Sequence, residues 1–276
     1  MSFDHNKTNP PGLVDPPRAR DNWHEDPEAW DVLGRISFSE QKFAQAPIEV
    51  AAVGALLARH GLDSLAGAKV LDMPCGPGRH SLPLAEVGAE VTAVDLNEAF
   101  VDELRAVSEA EGASIAVCRS DMRTFEVEDP GSFDVGLSLF SSLGYTVDRD
   151  DDVSTLRRFA AALRPGGWLV IDTMSVEIMA RVYEATRYHE VAGYTLQENS
   201  VLSDSLTRVD TRFTLRRDAE TLRASFKMRL YSVGEFRLML REAGFEPVAE
   251  YGGLDGTPFD MRASRLVLVA KRSEAA

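Results

Sequence analysis

The chain has 276 residues, 44% hydrophobic and 27% charged, which is enough for one large α/β domain with an insertion and a substantial core. Its 30 Lys and Arg against 44 Asp and Glu leave a formal charge of −14, a field that repels a phosphate backbone and argues against nucleic acid as a partner. Two cysteines, Cys75 and Cys118, form no disulfide framework, and no uncharged apolar run is long enough to span a bilayer, so neither an oxidising compartment nor a membrane is indicated.

Residues 1–20 are polar and proline-rich, without the apolar core of a signal peptide; they read as a disordered leader on a cytoplasmic protein. Residues 21–62 read as a helical flap in at least two pieces, with Pro47 in a first helical turn and Gly61 at a helix end. Its aromatic residues Trp23, Trp30, Phe38 and Phe43 fit either over a ligand or against the outer helices. From residue 63 to 187 apolar strands alternate with amphipathic helices: KVLDM, EVTAVDL, SIAVCRSDM, FDVGLSLF and WLVIDTM are the strands, and the helix before the fifth is expected to end at Pro–Gly–Gly. That alternation predicts a parallel sheet covered on both faces. Residues 188–231 change to the two-residue periodicity of antiparallel strands with one wet face. Residues 232–276 return to a helix and a closing pair of strands, so the antiparallel block interrupts a continuing α/β domain.

One stretch carries most of the chemistry: VLDMPCGPGRHS, Val70 to Ser81. Gly76 and Gly78 follow the first strand and precede a helix, where unpaired N–H groups and missing side chains allow a ligand close to the backbone. A tight strand-to-helix turn with no ligand is one reading. A nicotinamide or flavin dinucleotide site is a second, but its fingerprint calls for a third small residue where Ser81 stands and puts a glycine at the strand end, where Asp72 stands. A carboxylate there serves a pyrophosphate poorly. A cofactor bringing an ammonium and a sulfonium is the third reading.

The stretch resembles the first motif of class I S-adenosylmethionine-dependent methyltransferases, in particular small-molecule enzymes with D-x-x-C-G-x-G-R-H. The resemblance continues through VTAVDLN, SDMRTF, FDVGLSLFSSLGY, ALRPGGWLVID and EFRLMLREAGF, covering about Ala46 to Arg272. It implies a Rossmann-like, doubly wound, seven-stranded mixed sheet with the antiparallel block inserted as a β lid over the active site. It also implies S-adenosylmethionine as cofactor. Asp72, Pro74 and Cys75 would then meet its methionine end and Gly76 and Gly78 its backbone cradle. Asp95 would accept the ribose hydroxyls, Leu96 would pack on the adenine, Asp121 would accept from the adenine amino group, and Met122 would offer its backbone. Leu139 or Phe140 would close the floor.

Methyl transfer asks the protein mainly for alignment and a dry cavity, so catalytic residues leave a weak trace. His189, at the start of the lid, and Tyr145, after the fourth strand, are the candidates for touching the methyl acceptor. His80 reads as a helix-start packing or hydrogen-bonding residue, and Arg79 and Arg35 read as surface ion pairs, with the cofactor carboxylate as their alternative partner. The acidic run DRDDD, Asp148 to Asp152, reads as a helix start rather than a metal site. The expected acceptor is a nitrogen or oxygen of a small metabolite, and the sequence leaves room for a homodimer. Two alternatives stay open: an NAD(P)-dependent oxidoreductase and a non-catalytic S-adenosylmethionine-binding scaffold.

Overall fold

The computed structural model describes residues 23–146, 148–203 and 205–274; the expected leader lies outside them. A 3-10 turn, Trp23–Glu25, leads into α1 (Pro27–Ser37) and α2 (Glu40–Ala58). Then come β1 (Lys69–Asp72), α3 (Ser81–Glu86), β2 (Glu90–Asp95), α4 (Glu98–Glu111), β3 (Ile115–Arg119), β4 (Phe133–Ser138), α5 (Arg149–Ala162) and β5 (Leu163–Thr173). After α6 (Val176–Val182) follow β6 (Thr186–Val191), β7 (Tyr194–Leu202), β8 (Arg208–Arg217) and β9 (Glu220–Arg229). The described chain closes with α7 (Val233–Glu242), β10 (Phe245–Tyr251) and β11 (Leu266–Arg272).

The main sheet has seven strands in the order β10-β11-β5-β4-β1-β2-β3, with β1 to β5 parallel and the β10–β11 pair antiparallel at one edge. Successive strand residues point to opposite faces. Accordingly Leu71 and Ile171 join one buried core, while Val70 and Val170 join another on the far side of the sheet. This is the doubly wound mixed sheet that the sequence predicts.

Local chemistry sets the helix ends. Asn97 caps α4 by accepting from the Ala99 N–H at 3.0 Å, and Gly112 ends it in the left-handed conformation. Asp148 caps α5 through the Asp150 N–H at 3.0 Å, so the DRDDD run does begin a helix. Ser232 and Glu235 form a reciprocal capping box on α7. Three details depart from the expectation. Pro47 lies inside α2 rather than in its first turn, tolerated because Ala46, Val50, Val53, Leu56 and Leu57 bury one continuous face. The helix before the fifth strand ends at Ala162, because Pro165 disfavours helical backbone at Arg164 and the chain turns extended from Leu163. Helix α6 was not anticipated; Ser175 starts it by accepting from the Ile178 N–H.

The inserted strands form a separate antiparallel sheet, β6-β7-β8-β9. Its apolar face, with Tyr194, Leu196, Phe213, Leu215 and Ala224, packs on Trp23, Val32 and Leu33. The Trp23 indole donates to the Lys227 carbonyl at 2.8 Å. The 3-10 turn and α1 are therefore held by the small sheet on one side and turn their other side toward the main sheet. Among the described residues no helix is long and apolar enough to cross a membrane.

Candidate functional site

Strand order reverses at β1, whose neighbours β2 and β4 lie on opposite sides, and ligands of such sheets sit beyond the carboxyl ends at that point. A cavity of about 820 Å³, its open mouth included, occupies that place. Pro74, Cys75 and Gly76 line it after β1, Asp95 and Leu96 at the end of β2, and Ser120 to Arg123 after β3. Leu139, Phe140, Ser142, Tyr145 and Thr146 line it after β4, and His24, Trp30 and Phe38 close it from the N-terminal segment.

The glycine loop is tied to the second strand. The Gly76 N–H donates to Asp95 Oδ2 and the Asn97 N–H to Oδ1, both at 2.8 Å. Each oxygen keeps a lone pair for another donor. Burial pushes the Asp95 carboxyl up to about 6 against those stabilising backbone bonds. The two glycines do different work. Gly76 has φ +55°, and a Cβ there would sit 3.0 Å from the Phe38 ring, so its bare backbone lets the N-terminal segment close on the loop. Gly78 has φ +87°, and a Cβ there would be 2.2 Å from Leu104, so it packs the loop on α4 and does not line the cavity.

Asp72 is also off the cavity wall. It is 2% exposed and accepts from the Ser81 hydroxyl at 2.6 Å, which explains the serine at the position of a third glycine. Asp121 is on the wall, but Arg123 occupies it: the Arg123 N–H and Nε reach Oδ1, and Nε and Nη2 reach Oδ2. Three protons thus engage its two oxygens, with the Nε–H shared between them. Arg123 also meets Glu25 at 3.1 Å and Asp151 at 3.4 Å, so it staples the N-terminal turn and the start of α5 to the end of β3.

The opposite end of the cavity is cationic and rigid. Arg79, expected on the surface, is 2% exposed; it bonds Glu49 at 2.7 Å and the Lys42 carbonyl at 3.1 Å and lies 4.8 Å over the Phe140 ring. His80 donates to the same Glu49 oxygen at 2.8 Å. Burial opposes ionisation of Glu49, yet the His80 bond and the Arg79, His80 and Arg265 charges hold its carboxyl down at about 2. Phe140 and Ser141 take the left-handed conformation at φ 67° and 62°. Asp172, forked by Arg265, holds that turn by accepting from the Phe140 N–H at 3.1 Å, while its backbone carbonyl takes the Ser141 N–H. Non-glycine residues held this way cost about 1–3 kcal/mol each and gather at functional sites.

The two acceptor-side candidates separate. Tyr145 lines the cavity with its ring edge-on to Trp23 at 4.9 Å, and burial together with the Asp95 charge raises its pKa, which keeps the hydroxyl protonated. His189 does not reach the cavity. It lies on β6, the outer strand of the small sheet, with its side chain 46% exposed and Nε2 3.5 Å from Glu198. No residue of β6 to β9 lines the cavity, because α1 lies between that sheet and the site; the expected overhanging lid is a buttress. His24, Phe100, Ser120, Arg123, Ser142 and Thr146 line the cavity without having been anticipated. No motif marks His24 or Phe100, whose place depends on how α1 and α4 meet.

Residues 70–167, which hold the loop and the first four strand ends, match a family model described as a methyltransferase domain. A putative methyltransferase, YqeM, of Bacillus subtilis is 29% identical over 216 residues, 75% of this chain and 85% of that protein. A cypemycin N-terminal methyltransferase of Streptomyces is 27% identical over 214 residues, 75% of this chain and 84% of that protein. Among solved structures, the CcbJ methyltransferase of Streptomyces caelestis aligns with a TM-score of 0.71 at 20% identity, over 82% of this chain and 89% of that one. By class this chain is an S-adenosylmethionine-dependent methyltransferase, and S-adenosylmethionine is its cofactor. The residues present fit that group. The carboxylate of Asp95 has acceptor capacity left on the cavity wall, and Trp30, Phe38 and Phe100 add aromatic rings, which suit a cation, to the lining.

Proposed function

We propose that the protein methylates a nitrogen or oxygen atom of a small metabolite. The observation that carries this reading is the aromatic-lined cavity at the strand-order reversal, with one under-used carboxylate, Asp95, on its wall. When bound, S-adenosylmethionine supplies an electrophilic methyl on a sulfonium. Asp95 would take the ribose hydroxyls, Leu96 and Met122 would flank the base, and Pro74, Cys75 and Gly76 would line the path to the methionine end. Asp72 would act there only through Ser81 and the loop it braces. Leu139 and Phe140 would form the floor.

The acceptor space lies against Phe140, Ser142, Tyr145 and Thr146. A protonated Tyr145 hydroxyl orients an acceptor rather than removing its proton, which suits an amine that arrives with a free lone pair. The flap residues Trp30 and Phe38 line one side of the cavity and narrow it against bulky macromolecular acceptors. The methylated peptide terminus in the name of the cypemycin relative accords with nitrogen as the target.

Titration calorimetry with S-adenosylhomocysteine and with the nicotinamide cofactors, followed by transfer of labelled methyl into a metabolite extract, tests the reading. Micromolar binding of S-adenosylhomocysteine and labelled product from the isolated protein are expected. Nicotinamide binding in its place would favour the oxidoreductase, and binding without product would favour the scaffold.

A further inference from the structure

His24 brings two unspent nitrogens to one end of the cavity. It stands in the 3-10 turn before α1, its ring edge-on to Trp23 at 5.9 Å, and its backbone carbonyl accepts the Trp30 indole N–H at 2.8 Å. Both Nδ1 and Nε2 are shut from solvent, and neither has a hydrogen-bond partner. Glu25 Oε1, at 3.7 Å from Nε2, is beyond hydrogen-bonding distance. Burial first, and then the Arg123 charge, lowers the imidazole pKa against the opposing charges of Glu25, Asp121 and Asp151, so the ring is neutral at neutral pH. A buried polar group without a partner is destabilising, a cost that a ligand with a suitable donor removes.

The position of the ring says which donor. His24 borders the cavity and also the adjoining groove along Leu96, Asn97, Glu98 and Asp121, the end assigned above to the base. The acid beside it, Asp121, is already held on both oxygens by Arg123. A base amino group entering there meets a carboxylate engaged by Arg123 and an imidazole with no partner. We propose that His24 accepts a hydrogen bond from the exocyclic amino group of the cofactor's adenine, so that closure of the N-terminal segment reads the base. Trp30, bonded to the His24 carbonyl and itself on the cavity wall, carries that contact into α1. The inference rests on the placement of the cofactor in the proposed function.

The test compares S-adenosylhomocysteine with its analogue carrying hydrogen in place of the 6-amino group, by calorimetry on the full chain. The wild type should bind the amino compound about tenfold more tightly, the worth of one well-made hydrogen bond. His24→Phe, which keeps a ring against Trp23, and His24→Ala should each bring that ratio to about one, with the binding of the 6-hydrogen analogue unchanged and the melting temperature of His24→Phe not lowered. A ratio that survives both substitutions overturns the proposal, as does a ratio near one in the wild type. A ratio that survives His24→Phe and collapses in Asp121→Asn assigns the amino group to the acid and also overturns it. Failure of the wild type to bind either compound is a distinct result and refutes the cofactor placement itself.

Discussion

Affinity for S-adenosylhomocysteine should rise with pH through about 6 and then level, because the carboxyl of Asp95 must ionise to accept fully from a ribose diol. Burial lifts that carboxyl from 3.8 to about 6. A displacement of about two units corresponds to about 3 kcal/mol between the protonation states. The sign follows from an acid whose folded pKa lies above its unfolded value: its neutral form contributes stability that is full below 3.8 and lost as pH rises through about 6. The ligand-free protein thus carries a penalty at pH 8 that two ribose hydroxyls would reduce. At pH 5 about one Asp95 in ten is ionised, so binding should be up to about tenfold weaker than at pH 8. Asp95→Asn should bind weakly throughout and lose this slope. Asp152, also raised to about 6, titrates in the same window but is absent from the cavity wall, so it persists in the variant and serves as the control. Calorimetry at pH 5, 6, 7 and 8 on both proteins is the measurement. A flat wild-type profile, or a slope retained in Asp95→Asn, would refute the reasoning.

Three further outcomes follow from the geometry. Gly78→Ala puts a Cβ 2.2 Å from Leu104 Cδ1 at φ +87°, and should cost about 2–4 kcal/mol in urea unfolding; an unchanged midpoint would show that the loop does not need the glycine. Tyr231→Phe removes the hydroxyl that donates to the buried Asp152 at 2.5 Å, leaving it the Gly144 N–H at 2.9 Å, and should cost about 1–3 kcal/mol. Because that bond lowers the Asp152 carboxyl, its loss raises the folded pKa further, and the destabilisation should grow between pH 5 and pH 8. His189→Ala should leave S-adenosylhomocysteine affinity and methyl transfer within a factor of about two, as surface changes usually do; a larger loss would place the edge of the small sheet in the site.

Much of the frame was readable because it is encoded locally. The buried strands announce themselves as continuous apolar runs, and the loop after β1 is tied to the strand before it and to the strand and helix that follow: Ser81 on Asp72, Gly76 donating to Asp95, Gly78 against Leu104. Spacing along the chain also brings Asp95, Leu96, Asp121, Met122 and Leu139 to one rim, since parallel strands end together and the cavity forms where their order reverses. What spacing does not carry is occupancy. Asp121 is an acid at the right strand end, yet Arg123, two residues on, engages both its oxygens, and an acid–x–arginine sequence gives no sign of whether the fork closes.

The small sheet shows the same limit on a larger scale. Its alternation correctly marks one apolar face, but a period of two residues says only that something covers that face. The lid reading assigned that face to the active-site cavity, and the N-terminal turn and helix cover it instead. The outcome turns on Trp23: buried among Tyr145, Trp30 and Phe226 and bonded to the Lys227 carbonyl, it commits the N-terminal turn to the sheet. Once that contact forms, β6 is an outer strand and His189 is remote, while His24, the next residue in the chain, is turned to the cavity. The residue that the sheet was expected to supply to the site therefore comes from the segment the sheet holds in place. Removing the anchor tests this dependence: Trp23→Ala should weaken S-adenosylhomocysteine binding about as much as His24→Ala does. If it lowered only the melting temperature and left affinity intact, the sheet would be a stabilising addition with no hold on the site.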